Sequence, residues 1–164
     1  MEKKELKKQI VALLRRNARM AFQEMSDRLG VSEPEVAALV KQMEKDGEIV
    51  GYTAVINSEH DGDEVRAIIE IGVQPQRDIG FDHVAERLAR FPEVVSVYLV
   101  SGQYDLRLEV VGKSLQDVAS FVAGTLAQQE GVKSTATFFL LKKYKEAGVS
   151  FIKESKHERL QIVP

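Results

Sequence analysis

Along the first 50 residues, apolar side chains recur three and four positions apart: Leu6, Ile10, Leu13 and Leu14, then Phe22, Met25 and Leu29, then Val36, Leu39, Val40 and Met43. That is the α-helical period, so three helices are predicted. Beyond residue 64 the pattern changes to β-rich runs separated by two further helical stretches. Strands are predicted at Val65–Val73, Val94–Ser101, Asp105–Val111 and Val132–Lys142, and helices at Gly80–Arg90 and Ser114–Gln128. Between the two regimes, residues 57–64 are polar and turn-rich, as a linker or exposed loop would be.

The expected fold class is α+β, with a helical N-terminal domain and a second domain of order βαββαβ. That order is the ferredoxin-like sandwich, with both helices on one face of the sheet. The predicted boundaries are 1–50 for the helical domain, 51–64 for a connecting strand and linker, 65–148 for the sandwich and 149–164 for a C-terminal extension. The other sheet face carries Ile68, Val111, Phe138 and Leu140, and an apolar face of that size predicts pairing with a second copy.

Within the helical domain, Leu29-Gly30-Val31-Ser32 joins the second and third helices. Gly30 suits the left-handed end of a helix, and Ser32 with Glu35 three residues later predicts a capping box around Pro34. A short helix, a glycine turn and a capped helix of about 13 residues make a helix-turn-helix. Such a trio is also a plain packing module. The outer face of the third helix tips the reading toward DNA, because removing its core positions leaves Glu35, Ala38, Lys41, Gln42 and Lys45. A small alanine permits close approach to a groove wall, glutamine pairs bidentately with adenine, and lysine suits guanine or phosphate. Glu33 and Glu35 sit at the helix start, where they either accept from cytosine amino groups or only cap the helix and stabilise its dipole.

The hairpin Ser101-Gly102-Gln103-Tyr104-Asp105 joins the two central strands. Turn geometry accounts for Gly102 by itself. Tyr104 and Asp105 either stabilise the turn or hold the ammonium and carboxylate of a free amino acid beside exposed backbone N–H groups.

Composition narrows the chemistry. The 164 residues hold no cysteine, which removes disulfides, thiolate metal sites and a cysteine nucleophile. No apolar run approaches the length of a membrane span, and Met1-Glu2-Lys3-Lys4-Glu5 has no apolar signal core behind it, so a cytoplasmic protein without membrane partners is expected. The net charge is −2 and unevenly spread: residues 1–50 carry 10 Lys and Arg against 9 Asp and Glu, and residues 51–148 carry 10 against 14. A weakly basic reading domain implies modest electrostatic affinity per subunit, which oligomerisation would multiply. Asp61 and Asp63 have too few partners for a calcium loop, Gly102 does not precede a helix as a dinucleotide cradle requires, and Ser101 has no nearby base. No metal, cofactor or catalytic constellation is expected.

Taken together, these residues resemble the Lrp/AsnC family of bacterial and archaeal transcription regulators over about residues 3–148. In the first domain the resemblance rests on Asn17-Ala18-Arg19, Leu29-Gly30-Val31-Ser32, Glu44-Lys45 before Gly47, and Ile49-Val50-Gly51-Tyr52. In the second it rests on Phe91-Pro92-Glu93-Val94, Ser101-Gly102-Gln103-Tyr104-Asp105, and Gly131-Val132 followed by Ser134-Thr135-Ala136-Thr137. It implies a winged or plain helix-turn-helix, a connecting strand, and a domain that binds an amino acid or similar effector and builds dimers and commonly octamers. Carried over, the effector contacts are Ser101, Gly102, Tyr104 and Asp105, with Thr135 and Thr137 as further candidates. The DNA contacts are Ser32, Lys41, Gln42 and Lys45.

The chain departs from many relatives at Ala21, where they place a capping Ser or Thr, and at Leu39, where they carry an arginine. Its tail 149–164 also runs past the usual end. Two other readings stand beside this one. Sirohaem decarboxylases share the architecture and would use histidine; here the histidines are the scattered His60, His83 and His157. An effector-binding co-regulator that does not bind DNA is the other.

Overall fold

The structure is a computed structural model that describes residues 2–57, 64–74 and 80–152. The chain forms two compact units, one of residues 1–55 with 145–150, the other of residues 56–144 with 151–164.

In the first unit, α1 (Lys3–Arg16), α2 (Phe22–Leu29) and α3 (Glu33–Lys45) close around one apolar cluster. Leu6 and Ile10 of α1 meet Met25 of α2 and Val36, Val40 and Met43 of α3 there, all essentially out of water. Each such side chain stabilises the unit by about 1.5–3 kcal/mol relative to exposure. Ser26 is the buried polar side chain of α2, and its hydroxyl donates to the Gln23 carbonyl at 2.8 Å. Gly30 ends α2 at φ +67°, and its N–H returns to the Ser26 carbonyl. The left-handed conformation turns the chain sharply into α3, giving the expected helix-turn-helix.

The predicted capping box does not form. Ser32 stands at the N-cap of α3, yet its hydroxyl makes no cap hydrogen bond. The backbone explains why: Pro34 has no N–H to cap, and the Glu35 and Val36 amides already bond the Ser32 carbonyl at 3.1 and 3.2 Å. The predicted connecting strand also differs, because residues 51–57 carry no strand. The rest of the expected linker, 58–63 with His60, Asp61 and Asp63, lies outside the described residues.

The second unit holds β1 (Val65–Val73), α4 (Phe81–Leu88), β2 (Val94–Leu99), β3 (Leu106–Gly112), α5 (Leu115–Phe121) and β4 (Val132–Phe139). The four strands form an antiparallel sheet of order β2-β3-β1-β4, the ferredoxin-like arrangement. Register fixes the two faces. Ile69 lies opposite Leu108 and Thr137, and Ile71 opposite Leu106 and Thr135. This face packs on Val84 and Leu88 of α4 and on Val118 of α5. Ile68 lies opposite Glu109 and Phe138, and Arg66 opposite Val111, on the other face.

Several element boundaries differ from those the sequence pattern suggests. The second strand stops at Leu99, the third starts at Leu106 and the fourth stops at Phe139, because ladder pairing ends there. The first helix of the sandwich runs only Phe81–Leu88 rather than Gly80–Arg90. The single helix expected over Ser114–Gln128 divides into α5 and a π-helical segment at Val122–Leu126. Val118, Val122 and Leu126 are all buried and all four residues apart, a spacing that drifts around a 3.6-residue helix. The wider turn holds them on one face.

After β4, a small hairpin pairs β5 (Lys145–Glu146) with β6 (Val149–Ser150), so the first two residues of the predicted extension are paired. Residues 153–164, with His157, Leu160, Ile162 and Val163, lie outside the described residues.

Candidate nucleic-acid interface and ligand site

The first site is the outer face of α3. Val36, Leu39, Val40 and Met43 turn inward, and Ser32, Glu35, Ala38, Lys41, Gln42 and Lys45 are all exposed on the other side. Glu35, Ala38, Leu39 and Gln42 line a shallow groove of about 310 Å³ together with Lys3 from α1. The Lys3 ammonium donates to Gln42 Oε1 at 2.9 Å. Lys3 is a member of this surface that sequence reasoning missed. The charge of α1 was visible along the chain, whereas its approach to α3 exists only in the packed unit. Below α3, Tyr52 donates its hydroxyl to Glu44 Oε1 at 2.8 Å, which ties the segment after the helix back onto it. Burial and this acidic neighbour hold the phenol above the ordinary tyrosine value.

The second candidate site is the end of the sheet around the β2–β3 turn. Ser101, Gly102 and Gln103 are exposed, and Tyr104 and Asp105 are half-buried. Gly102 has φ +148°, a conformation that side chains disfavour, as the turn requires. The Val100 N–H bonds the Asp105 carbonyl, and the Asp105 N–H bonds the Ile71 carbonyl. One carboxylate oxygen of Asp105 accepts from the Val73 N–H at 2.8 Å. The ladder between β1 and β3 ends at Ile71 and Leu106, so Val73 would otherwise lack a partner on that side.

Thr135 lies across β1 from this point, opposite Ile71. Thr137 lies two residues further into the sheet, opposite Ile69, and both threonines are half-buried on the helix-bearing face. The structure thus brings Asp105, Ile71 and Thr135 together at one sheet end and sets Thr137 deeper. Beside them is a close approach that the sequence did not reveal: a Cβ on Gly72 would stand 2.5 Å from Ser134 Oγ.

Among the described residues no cluster of His, Asp and Glu is placed to hold a metal ion, and no helix is long and apolar enough to cross a membrane. His83 is exposed on α4, and His60 and His157 lie outside the described residues.

A helix-turn-helix followed by a ferredoxin-like sandwich fits the class of two-domain DNA-binding transcription regulators, and the relatives of the chain decide between that class and an enzyme on the same scaffold. Comparison with known proteins agrees. Residues 3–50 match a winged helix-turn-helix DNA-binding family, and residues 66–150 match the Lrp/AsnC ligand binding domain. The chain is 40% identical to the helix-turn-helix-type transcriptional regulator YugG of Bacillus subtilis over the full length of both. It is 30% identical to the leucine-responsive regulatory protein of Rhizobium meliloti, over 84% of this chain and 88% of that one. A transcriptional regulator from Neisseria meningitidis, solved as an L-Met complex, superposes with a TM-score of 0.70 at 26% identity, covering 86% of this chain and 91% of the other.

The chain belongs to the Lrp/AsnC family and is a DNA-binding transcription regulator rather than an enzyme. Neither the tetrapyrrole-enzyme reading nor the co-regulator reading is favoured by these relatives.

Proposed function

We propose that this regulator reads the major groove with α3 and changes its DNA occupancy when an amino acid or similar metabolite binds at the sheet end. The observation that carries the DNA half is the clean division of α3. Its four buried residues pack on the core, while Ser32, Glu35, Ala38, Lys41, Gln42 and Lys45 are all exposed, and Glu35, Ala38 and Gln42 line one groove with Leu39 and Lys3. Ala38 lets the helix approach the groove wall, Gln42 contacts a base edge, and Lys41 and Lys45 contact guanine or phosphate. The unbonded Ser32 hydroxyl at the start of α3 faces a phosphate, as helix N-termini favour.

The effector half assigns Ser101, Gly102, Tyr104, Asp105 and Thr135 to ligand contact, with Thr137 supporting from within. The second oxygen of Asp105 takes the ammonium, and the turn's N–H groups and hydroxyls take the carboxylate. The L-Met bound in the Neisseria relative supports this ligand class. A homodimer pairs the helix-free sheet faces through Ile68, Phe138 and Leu140, and further association between dimers brings turns together in a larger oligomer, up to an octamer. Dimerisation also doubles the phosphates that a weakly basic domain neutralises.

Fluorescence anisotropy with duplexes from neighbouring promoters, with and without each of the twenty amino acids, tests both halves. A thermal-shift series identifies the ligand, since binding only the native state raises the melting temperature. Retardation of no genomic fragment would overturn the DNA half, and absence of any ligand-dependent change in occupancy would overturn the effector half.

A further inference from the structure

The charge of the DNA-binding unit is not where its reading helix is. Helix α3 carries Lys41 and Lys45 against Glu33, Glu35 and Glu44, and α2 carries Arg28 against Glu24 and Asp27. Helix α1 carries Lys3, Lys4, Lys7, Lys8, Arg15 and Arg16 against Glu5 alone. A helix-turn-helix with an acidic balance on its two motif helices gains little from counterion release there.

The cations of α1 are also not spread evenly around it. With 3.6 residues per turn, Lys3, Lys7, Lys4, Arg15 and Lys8 fall on one flank of the helix, beside the buried stripe of Leu6 and Ile10. Two contacts show which neighbour lies on that side. Lys3 bonds Gln42 on the reading face, and Lys7 pairs with Glu48 just past the end of α3. The flank is concave: Lys4, Lys7, Lys8 and Arg15, with Val11 and Ala12 between them, line a groove of about 520 Å³ bounded by Glu48.

Glu48 is matched by Lys7, and Glu5 makes a long 3.4 Å contact with Lys8. Lys4 and Arg15 are exposed and have no ion pair among the described residues. An isolated charge run is ordinarily a solvated face. This one is a concave strip of surplus positive charge with Val11 and Ala12 at its centre, on the helix whose Lys3 bonds Gln42 on the exposed face of α3.

We infer that this flank of α1 is a second DNA contact, a phosphate-binding strip that anchors the backbone while α3 reads the bases. The occupant is the sugar-phosphate backbone of double-stranded DNA, chosen by charge complementarity and by the Lys3 bond to Gln42 of α3. Affinity and sequence choice therefore reside on different helices: α1 supplies most of the salt-dependent binding and α3 the discrimination. The inference rests on the reading of α3 proposed above.

The test uses the full chain, a mixed-sequence duplex and a salt series. The triple variant Lys4→Ala, Lys8→Ala, Arg15→Ala is compared with the wild type, and Lys4→Arg, Lys8→Arg serves as the charge-conserving control. In the triple variant the slope of log Kobs against log salt falls by about 0.9 per lost phosphate contact, hence by two to three units per bound subunit. Selection from a randomised duplex pool returns the same preferred bases, and the arginine control keeps the wild-type slope.

Circular dichroism and scattering on each variant separate charge loss from unfolding or a change of assembly. An unchanged slope with a correctly folded variant overturns the inference. So does a triple variant whose oligomer dissociates, since the groove then seats a second copy rather than DNA. Failure of the wild type to bind any duplex instead brings down the α3 reading, a distinguishable outcome.

Discussion

Val73 in β1 and Asp105, the residue just before β3, are joined by a hydrogen bond from backbone N–H to carboxylate at 2.8 Å, where the ladder between β1 and β3 has run out. The side chain therefore stands in for a missing strand carbonyl. It gives Asp105 a structural role alongside the proposed ligand contact, and the two roles separate by substitution. Asp105→Ala leaves the Val73 amide without its partner and lowers stability by about 1–3 kcal/mol in denaturant titrations. Asp105→Asn keeps an acceptor oxygen and nearly all of that stability but loses the charge for an ammonium group. The asparagine variant is expected to bind DNA normally and to lose its amino-acid response.

Lys41→Ala with Lys45→Ala and the single change Gln42→Ala are expected to affect DNA binding differently. All three side chains are exposed, so none of these changes costs core packing. The lysine pair weakens binding across sequences, with the larger effect at low salt. Gln42→Ala relaxes selection at one base position, by about 1–3 kcal/mol of discrimination. Pool selection and anisotropy measure the two effects separately.

Tyr52 carries a pH prediction. Its phenol is raised above the usual 10.0 by desolvation first and then by Glu44, as hydrogen-bond acceptor and as a nearby negative charge. A raised folded value favours the protonated form. The stabilising contribution is therefore whole below the unfolded tyrosine range and disappears as pH rises through the folded value. In an alkaline absorbance titration Tyr52 contributes a component above the ordinary tyrosine range. Tyr52→Phe removes that late component, and Glu44→Gln moves it to lower pH.

Phe138 is 54% exposed and lies opposite Ile68 on the sheet face without helices. Phe138→Glu is expected to leave the unit folded, since the core lies on the other face, and to separate the proposed dimer. Scattering at several concentrations reports the change. A Phe138→Glu chain with the wild-type mass would remove this face from the interface.

The sequence carried some elements of this protein plainly and others not at all. Strand β1 matches its expected span because Ala67, Ile69, Ile71 and Val73 alternate along its full length and all four are buried. The inward residues of α3 match for the same reason, at helical period. The Ser32 cap failed because a capping motif counts residue types, whereas the outcome depended on Pro34 lacking an amide and on the Glu35 amide turning to the Ser32 carbonyl. The break after Phe121 was hidden because a π turn and an α turn draw on the same side chains. At the candidate sites, each surface residue was legible from its own element. The pairings of Lys3 with Gln42 and Asp105 with Val73 join positions more than thirty residues apart, so only tertiary packing supplies them.

The wide turn at Val122–Leu126 also bears on how the helix accommodates changes in length. Val118, Val122 and Leu126 stay on one buried face through that expanded turn, which holds one residue more than the α-turn it replaces. Excising a solvent-facing position such as Ala123 would bring the last two anchors three apart, still on a shared face of an ordinary α-helix. The second helix of the sandwich thus has built-in slack of a single residue, and natural shortening there would leave the sheet beneath it undisturbed.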